Sequence, residues 1–194
     1  MTQPLKKYKE KDFGTKSILR FTGGKQRLVK KLQKSMPEKW NDYFEPFLGG
    51  GSLFFSTQSN DKKQFYLNDQ NNYLIDTYIS IRDNPTEIYE YLKDIANQHS
   101  EDFYLKMRDK FNTSKESSVS KSAIFLYLNR SCFNGVFRLN SKQEFKVPSG
   151  KKETILIPTI DNFKNLSKKF SSTILTSVDF EKSLDKVKQG TLFI

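Results

Sequence analysis

The stretch at residues 42–57, DYFEPFLGGGSLFFST, decides the fold. Residues 43–47 are apolar enough for a central strand. Gly49, Gly50 and Gly51 then let the backbone turn tightly and bring a ligand close to main-chain N–H groups. A helix entered near Ser52 points its N-terminus at that ligand. The spacing is not G-x-G-x-x-G, and no Lys-Ser/Thr pair of a phosphate loop follows. The stretch reads as a nucleotide-like ligand site at the first strand–helix turn; the alternative is a glycine turn made only for packing.

The next segment, KQFYLNDQNNYLIDTYISIRDNP (63–85), repeats the pattern: strand, polar turn, and a helix stopped by Asn84-Pro85. Asp69 stands at the strand end, about twenty residues after the glycines, where a Rossmann-type fold places the carboxylate that accepts from a ribose diol. Loop and acid together fit an adenosine-bearing ligand. NAD and S-adenosyl-L-methionine both satisfy them.

Upstream, SILRFTGGKQRLVKKLQKSMPEKW (17–40) opens with a short extended piece at 18–21 and a glycine turn. A helix is expected from about Lys25, with Leu28, Val29 and Leu32 on one face and Pro37 ending it. Lys25, after paired glycines at a helix start, suits an anionic group. Downstream come three helices between 85 and 131, a hairpin pattern around Ser141-Lys142-Gln143, a helix at 159–172, a buried strand at 173–180 and a last strand, TLFI, after Gly190. The order predicts an α/β fold with an inserted helical and hairpin module.

Composition narrows the partners. The 194 residues carry a formal charge of +11, 17 Phe, 9 Tyr, one Cys and one His. Basic excess points to a polyanion, nucleic acid before membrane; a lysine-rich genome bias produces the same figure. Lone Cys132 and His99 exclude a Cys/His zinc site, and a reducing, cytoplasmic setting is expected. His99, in ANQHSEDF, reads as a solvated connection. No apolar run approaches the roughly 20 residues of a membrane span.

Four blocks in order, FTGGK (21–25), FEPFLGGGSLFF (44–55), LNDQN (67–71) and FLYLNRSCFNGVFRLNSKQEFKVPSG (125–150), resemble the Dam-type DNA adenine-N6 methyltransferases. The likeness runs from about residue 18 to 194. It implies a Rossmann-like S-adenosyl-L-methionine-dependent methyltransferase fold whose sheet is incomplete in these residues, acting on double-stranded DNA at GATC-like sites without a metal. It divides the chain into a basic arm (1–16), a cofactor-binding domain (17–84 and 170–194) and a target-recognition insertion (85–169). The resemblance puts Phe21, Lys25, Glu45, Phe47, Gly49, Gly50, Gly51, Asp69, Asp179 and Phe180 around the cofactor. It gives Phe133, Asn134 and Arg138 base-contacting roles, with Asn129, Arg130 and Pro148 in support. The residue types agree: Arg pairs bidentately with guanine, and a ring beside an amide can wedge and hydrogen-bond. For Phe133 a core position, and for Arg138 a phosphate contact, are the alternatives.

The family's catalytic D-P-P-Y, expected after the fourth strand, occurs nowhere in the 194 residues, whose six prolines are never adjacent. The expectation is an N-terminal fragment, inactive alone and poorly soluble or marginally stable unless a partner completes a sheet of order 3-2-1-4-5-7-6. A complementing C-terminal fragment, a DNA-binding remnant without catalysis and a NAD-binding domain are the competing readings.

Overall fold

A computed structural model of the chain describes residues 6–14, 16–21, 24–57, 63–113 and 118–194. Gly23 of the paired glycines, and residues 1–5 and 15 of the expected arm, lie outside them.

The centre is a parallel four-stranded sheet. Its strands are β2 (Tyr43–Glu45), β3 (Phe65–Asn68), β5 (Thr173–Thr176) and β6 (Leu192–Phe193), in the order β5-β3-β2-β6. Numbered within the sheet this is 3-2-1-4, the first four positions of the expected order. All three residues of β2 are buried because it has a strand on either side. A ring cluster packs under the sheet: Phe54 meets Tyr43, Phe65 and Phe170 at centroid distances of 6.5, 5.7 and 5.4 Å. Each such ring contributes about 1.5–3 kcal/mol relative to exposure. At the sheet edge, Phe193 of β6 packs on Phe44 at 5.3 Å yet stays 51% exposed.

The helices are α1 (Val29–Ser35), α2 (Ser52–Ser56), α3 (Asn72–Asp83), α4 (Pro85–Asn97), α5 (Glu101–Thr113), α6 (Ser118–Ser131), α7 (Ile160–Phe170) and α8 (Phe180–Ser183). Asn71 caps α3 by accepting from the Leu74 N–H, and Pro85 opens α4 where its missing donor costs nothing. Thr159 and Asn162 form a reciprocal capping box on α7. From Ser122 to Ser131 every residue of α6 is buried, since α3, α4 and α5 all pack against it. One apolar core runs from the sheet through these helices.

Several expectations are corrected. Residues 18–21 form no strand; the Asn129 side chain holds the backbone there instead. The arm is not loose over its described part. β1 (Tyr8–Lys11) pairs in parallel with β4 (Ile155–Pro158), Tyr8 is buried, and the Tyr89 hydroxyl donates to Glu10 at 2.6 Å. The first helix begins at Val29 after a single 3-10 turn at Lys25–Arg27, and Leu28 is exposed. The hairpin reduces to two antiparallel bridges, Leu139 with Phe145 and Cys132 with Ser149.

His99 is the other correction. It is buried, not solvated, because two remote groups satisfy its ring. Nδ1 lies 2.8 Å from the Tyr127 hydroxyl and Nε2 2.9 Å from the Lys152 carbonyl. A carbonyl only accepts, so Nε2 carries the proton and Nδ1 accepts from Tyr127. Burial, chiefly, pushes the imidazole pKa below its ordinary value of 6.5. Such a group favours the fold above the unfolded pKa and loses that contribution as pH falls through and below it. His99→Gln is therefore expected to lower the thermal midpoint at pH 7.5. The gap to wild type should narrow below about pH 6.5, where only the wild type must bury a charging ring. A gap independent of pH would contradict the neutral buried ring.

Candidate cofactor and nucleic-acid site

The site is built where β2 and β3 end. Gly49 and Gly51 take left-handed backbone angles (φ +49° and +64°), which reverse the chain between β2 and α2. A side chain at Gly51 would sit 2.9 Å from the Phe55 ring, so the loop stays bare. Gly49 N–H donates to Asp69 Oδ2 at 2.7 Å, and Asn71 N–H donates to Asp69 Oδ1 at 2.9 Å. One carboxylate thus ties the glycine loop to the α3 turn. Each oxygen still has lone pairs free for a ligand.

Phe21, Lys25, Glu45, Phe47 and the three glycines line one cavity of about 150 Å³. Glu45 is 5% exposed and accepts from the Tyr43 hydroxyl at 2.6 Å. Burial raises its pKa to about 7, against the pull of the Tyr43 hydroxyl and the Lys25 charge. The exposed Phe47 ring lies 5.5 Å from the exposed Phe180 ring. The Asp179 carboxylate caps α8, accepting from the Glu181 N–H at 2.9 Å through Oδ1.

Asn68 was not singled out in the sequence. It is 1% exposed; its amide donates to the Pro46 and Val178 carbonyls and accepts from the Val178 N–H. This clamp fixes the β2 and β5 exit loops against each other, placing Phe47 beside Phe180. The signal was an amide, poor in strands, at the end of an apolar strand.

The second group of predicted residues gathers on the turn after α6. Phe133 is 55% exposed, and Asn134 beside it takes φ +52°. Phe133 N–H donates to the Pro148 carbonyl (3.0 Å) and Gly150 N–H to the Ser131 carbonyl (2.9 Å), locking the turn to the returning chain. Arg138 and Pro148 are exposed. Asn129 and Arg130 are 1% and 3% exposed and present nothing to a surface. Asn129 instead accepts from the Arg20 N–H and donates to the Arg20 carbonyl, both at 2.8 Å. Arg130 donates to the Ile18 carbonyl.

Residues 21–194 match the D12 class N6 adenine-specific DNA methyltransferases. The chain belongs to this family. The D12 match spans the glycine loop, Asp69 and the turn after α6 in one run. The chain is 35% identical over 176 residues to the type II methyltransferase M1.LlaDCHI of Lactococcus lactis subsp. cremoris, covering 88% of this chain and 61% of that protein. It is 31% identical over 181 residues to the type II methyltransferase M.MjaIII of Methanocaldococcus jannaschii (86% and 63%). It is 34% identical over 188 residues to the DNA adenine methylase of Haemophilus influenzae (95% and 64%). The D12 chain thus spans about three-fifths of the length of these curated relatives. The methyltransferase family implies a methyl donor in general terms. Among the described residues no helix is long and apolar enough to cross a membrane, and no group of three or more His, Cys, Asp or Glu side chains could hold a metal ion.

Proposed function

We propose that these residues hold S-adenosyl-L-methionine and read the target in a DNA adenine-N6 methyltransferase acting on GATC-like duplex sites. The observation that carries this reading is the Gly49–Asp69 hydrogen bond at the floor of the loop, with two lone-pair-bearing oxygens beside a bare backbone. The residues fit the group. The glycines admit its methionine portion without a Cβ in the way, and Asp69 accepts from its ribose hydroxyls. Phe47 and Phe180 offer ring faces to its purine, and Glu45 and Lys25 set the charge around its amino-acid end. The bound donor supplies an electrophilic methyl group; the chain's own residues orient it and exclude water from one side.

The insertion at 85–169 is proposed to read the DNA. Phe133 and Asn134 stand out on a locked turn, and Arg138 follows on an exposed arm, as base-edge contacts require. Arg138→Ala is expected to weaken binding to a GATC duplex by about 1–3 kcal/mol, or roughly 5- to 150-fold, and to leave a scrambled duplex unaffected. Fluorescence anisotropy with both duplexes checks this. Equal losses on both would make Arg138 a phosphate contact. A polypeptide bearing D-P-P-Y, in cis or in trans, is proposed to extend the sheet from the free edge of β6.

A further inference from the structure

A cavity of about 740 Å³ adjoins the glycine loop. One wall is made by residues 11–13, 16, 17 and 19–21; the other is made by Gly50 and Ser52 of the loop and Asn134 and Val136 of the turn after α6. Its charged lining is Lys11, Lys16, Arg20 and a single acid, Asp12. That acid is already engaged. It accepts from the Gly14 N–H and the Asn162 amide, both at 2.7 Å, which hold its carboxyl below the usual carboxylate range. Among the described residues neither Lys16 nor Arg20 forms an ion pair.

More positive charge stands behind this wall. The Arg130 guanidinium lies 4.2 Å over the Phe13 ring and reaches the Ile18 carbonyl, and its buried Nε has no partner. Burial and then the Arg20 charge lower its pKa to about 9. Lys152, half-buried, donates to the Arg130 carbonyl at 2.5 Å, and its pKa is lowered by the same two causes in the same order. Arg20, Arg130 and Lys152 therefore repel one another, and the one carboxylate of the cavity is held by other partners. A nearby anion would relieve this field. A duplex that touches Asn134 and delivers an adenine to a methyl donor held at the glycine loop must cross the opening, and the group it repeats along its edge is phosphate.

We propose that this cavity seats a backbone phosphate of the duplex, contacted by Lys11 and Lys16, with Arg130 as a positioning residue that holds the wall through Ile18 and Phe13. This rests on the DNA-methyltransferase reading. Each phosphate contact contributes about 0.9 to the slope of log affinity against log salt. Lys11→Gln/Lys16→Gln, which removes both contacts to that one phosphate, is expected to lower that slope by about 1. Affinity for a GATC duplex and for a scrambled duplex should fall by the same factor. Lys106→Gln/Lys164→Gln, on exposed positions of α5 and α7, removes equal charge and should leave the slope unchanged. Arg130→Met should lower the slope while circular dichroism keeps the helical signal; an unchanged slope removes its positioning role.

An unchanged slope in the cavity pair, or an equal drop in the control pair, overturns the proposal while the methyltransferase reading stands. Competition by inorganic phosphate at fixed ionic strength, with no change in slope, overturns it in favour of a free-phosphate site. Absence of salt-dependent DNA binding in the folded wild type overturns both.

Discussion

The 194-residue polypeptide, purified alone, is expected to incorporate no methyl label from S-adenosyl-L-methionine into adenine of GATC-containing DNA. The exocyclic amine is a poor nucleophile because its lone pair is delocalised into the ring. Transfer needs an acceptor for the amine protons and a surface to stack the flipped base, placed opposite the methyl donor. The resemblance assigns both tasks to D-P-P-Y, and the 194 residues hold no such run. Asp69 is assigned to the cofactor's ribose, and the acids at the site already accept hydrogen bonds from the chain. Asp69 receives two backbone N–H groups, Asp179 caps α8, and Glu45 is 5% exposed with Tyr43 on its oxygen. Label in adenine above the background of a heat-treated control would show that another group takes the protons.

Asp69→Ala is expected to weaken binding of S-adenosyl-L-methionine by about 100-fold or more. Two losses combine. Hydrogen bonds to a carboxylate contribute about 1.5–3 kcal/mol each, and both ribose hydroxyls would lose theirs. Gly49 N–H also loses its acceptor, so the left-handed turn at Gly49 is no longer tied to α3. Asp69→Asn keeps an oxygen for Gly49 but loses the charge, and about 10-fold is expected. Isothermal titration with both variants checks this, with circular dichroism to establish that they fold. Affinities within twofold of wild type would remove Asp69 from the cofactor site.

The parts legible in the sequence were those whose partners lie close along the chain or within one motif. Gly49–Gly51 and Asp69 sit about twenty residues apart, and the geometry joins them directly. The helix stop at Asn84-Pro85 is local chemistry. What was not legible depends on remote partners. YKEK carries one buried residue in four, and its pairing with β4 closes across most of the chain. His99 looked solvated because Tyr127 and Lys152, which satisfy its ring, lie in other elements. Asn129 and Arg130 sit inside the recognition motif yet act on Arg20 and Ile18, more than a hundred residues away. Asp179 and Phe180 matched one family position by resemblance; that the first caps α8 while the ring of the second packs on Phe47 was visible only in the structure.

The central claim is that the glycine loop holds S-adenosyl-L-methionine. Titration of that molecule into the wild-type chain, by calorimetry and with NAD as comparison, tests it most directly. Saturable one-to-one binding of S-adenosyl-L-methionine, with none of NAD at the same concentrations, is the predicted result. No binding by a chain that circular dichroism shows to be folded, or equal binding of NAD, would contradict it.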